Sequence, residues 1–310
     1  MTYSRNFRRQ RKEHAAVSLT GTKLTSRLEL GTAQFGMRYG INSSRDKIPS
    51  SEIFEILNLA KKIGLDTLDT AYQYEGSELA VGRFRERNDE GFRIISKLPD
   101  FSKEDAEYYV RTSLNRLKTD HIDGLLYHTF STFEKDPSTL EKMMEFKKRG
   151  LARRIGFSLY HPSELEKLLE KEVAFDIAQV PFNVFDRRFE PYLAELAQRS
   201  IEVQARSVFL QGLFFADVGT LPIYFEPAKS RLADLNAIKL KYHKSIADLC
   251  LNFVAQHKEF GHIIVGVDSL RHFQELSRVE VINDFVALGN ELNELRMDNE
   301  NILLPYKWRL

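Results

Sequence analysis

The stretch Leu28-Glu29-Leu30-Gly31-Thr32-Ala33-Gln34-Phe35-Gly36-Met37 decides the architecture. Residues 28–32 form a short apolar run of strand type. In an open doubly wound sheet that binds a dinucleotide, the turn after the first strand carries G-x-G-x-x-G, because glycines let the backbone approach a pyrophosphate. Residues 33–37 lack that spacing. Seven further runs of the same kind follow at 67–70, 92–98, 122–128, 154–158, 175–180, 202–207 and 262–267. Between them lie segments with helical spacing, such as Ile53, Ile56, Leu57, Ala60 and Ile63, or Ile246, Leu249, Cys250, Phe253 and Val254. Eight strand–helix units imply parallel strands joined by right-handed crossovers, and at this length they close most economically into a (β/α)8 TIM barrel.

Outside the repeat, residues 17–27 read as a hairpin ahead of the first strand, with Thr20 and Gly21 at its turn. Residues 209–229 read as a long loop after strand seven, and residues 284–296 as an extra C-terminal helix. No Pro/Gly-rich linker or composition shift divides the chain, so residues 17–310 form one barrel domain. Residues 1–16 form a basic tail. Arg5, Arg8, Arg9, Arg11 and Lys12 face only Glu13, giving residues 1–15 a charge of +4 and the remainder −3. Its Arg content also permits a transit peptide, but without an aromatic platform or groove-reading motif the tail reads as solvated chain rather than a nucleic-acid arm.

Composition narrows the classes further. The 310 residues are 43% hydrophobic and carry 45 basic against 44 acidic groups, so no global field favours nucleic acid or an anionic membrane. A single cysteine, Cys250, excludes an intramolecular disulfide framework and suits a reducing compartment. No apolar run approaches a membrane span. The chain reads as soluble and cytoplasmic. Its eight histidines lack a paired metal spacing, and no metal is assigned.

In a barrel of this kind, residues at the C-terminal strand ends point into the site. Those ends read Asp69, Lys97, His128, Ser158, Gln179 and Arg206, each polar after a largely apolar run. Their ordering within Gly64–Glu78, Ile95-Ser96-Lys97, Ile122–His128, Gly150–Ser158, Phe175–Gln179, Ala205–Gly212 and Ile264–Ser269 resembles the aldo-keto reductases, from about residue 17 to 296. The resemblance implies an NAD(P)H-dependent carbonyl reductase, reversible as an alcohol dehydrogenase. It also implies a catalytic tetrad of Asp69, Tyr74, Lys97 and His128. Carbonyl reduction needs a hydride at carbon and a proton at the developing alkoxide. A tyrosine hydroxyl is a poor acid near neutrality, and a neighbouring ammonium is expected to lower its pKa. Tyr74 is then the proton donor, Lys97 its activator, Asp69 the lysine's partner, and His128 the hydrogen-bond donor to the substrate oxygen. Tyr72 is a weaker rival for the acid.

By the same resemblance Ser158 and Gln179 hold the nicotinamide carboxamide, although Leu159 stands where an Asn commonly follows the serine. Arg206 replaces a stacking aromatic ring. Ser207 and Gly212 lie toward the pyrophosphate, and Asp268, Ser269, His272 and Glu275 toward the adenosine end. Leu276 takes the place of a family Asn there. The expected cofactor is NADP(H), with NAD(H) a competitor because Asp268 would repel a 2′-phosphate. The partner is a small carbonyl or sugar molecule; Phe35, Tyr39, Phe130, Tyr160 and Phe182 follow strand ends and read either as an aromatic pocket for it or as buried loop anchors, and Trp308 either reaches over the mouth or pins the tail. Two alternatives use the same barrel: a dehydrogenase of a free or nucleotide-linked sugar, and a non-catalytic nicotinamide-sensing subunit.

Overall fold

The computed structural model describes residues 24–41, 45–88 and 91–308. Eight strands follow in order: β1 (Leu28–Gly31), β2 (Thr67–Asp69), β3 (Arg93–Leu98), β4 (Ile122–Tyr127), β5 (Ala152–Ser158), β6 (Ile177–Pro181), β7 (Glu202–Arg206) and β8 (Phe260–Gly266). Each pairs in parallel with the next, and β1 pairs with β8 through Leu28↔Ile263 and Gly31↔Gly266, so the sheet closes into a barrel. The expected strands and closure are both found. Strand β7 meets β8 with a register shift between Val203 and Gln204.

Helices clad the outside. The helix Ser50–Lys62 buries Ile53, Ile56, Leu57 and Ala60, the one-face spacing of an amphipathic helix. The helix Ile246–Ala255 is buried nearly all round, including Cys250. Burial pushes the Cys250 thiol above its ordinary pKa, as expected of a core residue without redox chemistry. The extra C-terminal helix runs Val286–Asn293, shorter than 284–296. The loop after β7 is also shorter than expected, because helix Glu226–Tyr242 begins inside it.

One expectation needs correcting. Leu24–Arg27, read as the end of a hairpin, is a 3-10 helix. Its Arg27 donates to the carbonyls of Ala255, His257 and Phe260 at 2.7, 3.0 and 2.8 Å. The rest of the expected hairpin, and the basic tail, lie outside the described residues. No helix among the described residues is long and apolar enough to cross a membrane.

The two-residue period of a strand sends Glu29, Asp69, Lys97, Gln179, Gln204 and His262 toward the barrel axis. The apolar share of that interior is a small cluster of Ile95, Leu126 and Ile177. Gly124 makes room for it, since a Cβ there would lie 2.6 Å from Ile95 Cδ1 and 2.8 Å from Ile177 Cδ1. The remaining interior is polar, and its hydrogen bonds define the site.

Candidate active site

At the C-terminal end of the barrel, Lys97 Nζ donates to both carboxylate oxygens of Asp69 at 2.7 Å and to the Thr70 carbonyl at 3.0 Å. All three ammonium protons are thereby used. The pair is almost fully buried, so its charges are compensated where an isolated one would be costly. Gln179 Nε2 donates to Asp69 Oδ2 at 2.8 Å and to Gln204 Oε1 at 3.1 Å. Both amide hydrogens of Gln179 are spent on the protein, which leaves only its carbonyl oxygen for a ligand.

Tyr74 sits in the turn between β2 and helix Ser77–Arg85. Its amide donates to Ala71 O at 3.0 Å, and Ser77 N donates to Tyr74 O at 2.9 Å. Ser77 Oγ is anchored on the β1 loop, donating to Thr32 O at 2.9 Å and lying 2.7 Å from Thr32 Oγ1. The turn is thus tied to the stretch 28–37. Lys97 Nζ lies 5.4 Å from the centre of the Tyr74 ring, and the His128 ring meets it edge-on at 5.7 Å. Tyr72 faces away, its ring held between Arg116 at 4.3 Å and Tyr109 at 5.0 Å.

The electrostatics differ from expectation at Tyr74. Burial pushes its hydroxyl above the ordinary phenol range, and the Asp69 charge adds to that while Arg206 opposes it. The lowering expected from Lys97 is missing because Asp69 neutralises that ammonium from 2.7 Å. His128 is pushed down to about 3, first by burial and then by the positive charges of Lys97 and Arg206. It is a neutral imidazole at physiological pH, with one N–H to donate.

A cavity of about 450 Å³ opens from this tetrad. Asp69, Tyr74 and Gln179 line its inner end, Arg206, Ser207 and Gly212 its middle, and Asp268, Ser269, His272 and Glu275 its outer end. Ten of the thirteen expected site residues therefore share one cavity wall. Lys97 and Ser158 are buried behind it, and His128 reaches the tetrad only through its contact with Tyr74. The wall after β7 is built on left-handed backbone: φ is 58° at Ser207, 45° at Leu210, 50° at Gln211 and 90° at Gly212. Three of these four are not glycine, so the wall stores strain that surrounding contacts must hold. One such contact is Ile41 N donating to Gln211 O at 3.0 Å.

Arg206 does not stack on open space. Its guanidinium lies 4.1 Å from the Tyr160 ring centre and donates to Leu159 O at 2.7 Å, while its Nε has no partner. Of the aromatic set, Tyr39 lines the cavity and Tyr160 supports Arg206, whereas Phe35, Phe130 and Phe182 are buried in the core. Trp308 pins the tail, donating to Ile302 O at 3.0 Å and meeting Phe225 edge-on. Sequence reasoning missed Gln34 and Gln211. Gln34 lies in the one-turn helix Ala33–Gly36 just after β1, and a polar residue in a loop at the C-terminal end of a barrel strand was the available signal; its Oε1 is buried and unpartnered. Buried polar atoms without partners at Gln34 and Arg206, along an elongated cavity, suit a ligand with its own donors and acceptors.

Comparisons with known proteins agree with this geometry. The Aldo/keto reductase family model matches residues 27–296. An uncharacterized oxidoreductase, YqkF of Bacillus subtilis, is 28% identical over 200 residues, covering 60% of this chain and 65% of its own. The chain thus spans just under two thirds of that relative. L-galactose dehydrogenase of Arabidopsis thaliana is 24% identical across 95% of both chains. Among solved structures, the holo form of aldo-keto reductase AKR11C1 from Bacillus halodurans superposes with a TM-score of 0.73 at 21% identity, over 87% of this chain and 91% of that one. The chain belongs to the aldo/keto reductase family, whose members are NAD(P)-dependent oxidoreductases.

Proposed function

We propose that the chain reversibly reduces an aldehyde or ketone with NADP(H), NAD(H) competing, and that Tyr74 is the proton donor. The observation that supports this reading is the buried Asp69–Lys97 pair beneath the Tyr74 ring, at the closed end of the cavity. The unpartnered Gln34 Oε1 and Arg206 Nε, and the free acceptor on Gln179, fit a nicotinamide dinucleotide lying along that wall. When bound, the reduced nicotinamide supplies the hydride, with its two electrons, to the carbonyl carbon.

The protein's own groups do the rest. Tyr74 releases its hydroxyl proton to the carbonyl oxygen as charge develops there, and the phenolate left behind faces the Lys97 charge. His128, neutral, donates a hydrogen bond to the same oxygen. Asp69 and Gln179 hold Lys97 in place. Burial that retains the Tyr74 proton favours reduction near neutrality, whereas oxidation of an alcohol needs the phenolate and gains rate as pH rises. Oxidation of a free sugar is the second reading, drawn from the end-to-end likeness to L-galactose dehydrogenase.

Tyr74→Phe tests the assignment, because it removes the proton and keeps the ring. Binding of reduced nicotinamide, followed by fluorescence, should be unchanged, while turnover on an accepted aldehyde, ketone or aldose should fall about 10²–10⁴-fold. Near-wild-type turnover would remove Tyr74 from the role.

A further inference from the structure

The opposite, N-terminal end of the barrel carries a second polar cluster that the proposed chemistry leaves unused. Glu29 at the start of β1, Glu202 of β7 and His262 of β8 come from three strands that are neighbours across the barrel's closing seam. One ligand atom from each lies within 4.8 Å of the other two. His262 Nδ1 is 3.5 Å from Glu29 Oε1, and His262 Nε2 is 3.9 Å from Glu202 Oε1.

Glu29 is fully buried and its Oε2 has no hydrogen-bond partner. His262 Nδ1, 3.5 Å from the other carboxyl oxygen, Oε1, has none either. Gln204 Nε2 donates to Glu29 Oε1 only at 3.4 Å, and closer, at 2.9 Å, to Glu202 Oε1. Arg154 pairs with the other oxygen of Glu202, Arg93 with Asp66, and Lys97 with Asp69. Among the described residues, His262 is the sole basic side chain ion-paired to Glu29. A fully buried carboxyl oxygen without a hydrogen-bond partner calls for one, and a cation held by both carboxyl groups and one imidazole nitrogen would satisfy it.

We propose that Glu29, Glu202 and His262 form a binding site for a divalent cation of the zinc class. Four-coordinate zinc with nitrogen and oxygen ligands at about 2.0–2.1 Å sets its ligands about 3.4 Å apart, and one donor atom from each of the three residues already lies within 4.8 Å of the other two, so small side-chain adjustments bring a single imidazole nitrogen and both carboxyl groups onto one ion. One imidazole with two carboxylates favours zinc over magnesium or calcium, which take all-oxygen shells. Glu202 and His262 are partly exposed, which gives the ion a way in and leaves a fourth position for water. The ion would join β1, β7 and β8 where the barrel closes, acting on stability and not on the reacting atoms at the other end.

The test uses the full chain, stripped with chelator and titrated with ZnCl₂, read by calorimetry and by thermal unfolding. One equivalent should bind and raise Tm, with MgCl₂ ineffective. Glu29→Gln, Glu202→Gln and His262→Gln should each weaken binding at least tenfold, and His161→Ala, just past the C-terminal end of β5 and so at the opposite end of the barrel, should leave it unchanged. Should Glu29→Gln fail to fold, the other two substitutions at partly exposed positions carry the test. Absence of a one-equivalent zinc isotherm, or zinc affinity unaltered in Glu202→Gln and His262→Gln, would overturn the proposal.

Discussion

His128 shows how burial sets the state of a single residue. Its pKa, about 3 in the fold, compares with roughly 6.5 for an unfolded histidine. Between those values the unfolded chain binds a proton that the folded chain refuses. The associated stability is therefore complete above about pH 6.5 and is lost progressively as pH falls toward 3. By chemical denaturation, the wild type should lose about 1–2 kcal/mol more than His128→Gln between pH 7 and pH 5. Equal losses would mean that His128 is solvated and titrates normally. The same burial keeps the Tyr74 proton in place, so both residues owe their protonation state chiefly to position rather than to type.

At the scale of elements, the β1 loop and the Tyr74 turn are fitted to each other through Gly36. A Cβ on Gly36 would sit 1.9 Å from Tyr74 O and 2.7 Å from Ser77 N, backbone atoms with no freedom to yield. Gly36→Ala should destabilise by about 3 kcal/mol and reduce turnover, since the displaced turn carries the proposed acid. A variant with unchanged Tm and kcat would contradict that fit. The helix Leu270–Leu276, after β8, is capped by Ser269 Oγ accepting from His272 N at 3.2 Å. Glu52 Oε1 already accepts from Leu270 N at 2.9 Å, and Arg271 points to solvent beside Glu275. Asp268, pulled down to about 2 mainly by His272, whose Nδ1 lies 3.2 Å from its Oδ1, stays charged at the cavity wall. Asp268→Ser should tighten NADPH more than NADH, by about 1 kcal/mol at low salt. Equal changes in the two dissociation constants would show that Asp268 does not face the ribose.

For the whole molecule, closure depends on joining the first strand to the last unit. Arg27 performs part of that by donating to three carbonyls around the start of β8, and burial lowers its pKa. Arg27→Ala leaves those carbonyls without their donor. The loss should be about 3 kcal/mol in chemical denaturation, with kcat for an accepted carbonyl little changed because the tetrad lies at the far end. A loss below about 0.5 kcal/mol would mean that water replaces the guanidinium.

Short runs of β-branched and apolar residues, alternating with 3.6-period segments, made all eight strands readable, because both periods report burial directly. Strand ends drifted by one or two residues, as at 175–180 against Ile177–Pro181, since the terminal residues carry no burial signal. Five-residue spacing from Asp69 to Tyr74 separated it from Tyr72, and the structure turns Tyr72 away onto Arg116. Residue type and order along the chain thus determined the barrel and which residues reach its C-terminal mouth. Tertiary structure decided the partners: Lys97 spends its protons on Asp69 and Thr70, Gln179 turns its amide to Asp69, and Glu29 meets His262 across the closing seam. Those pairings join residues 27 to 233 positions apart, and no local pattern encodes a contact that exists only once the barrel has closed.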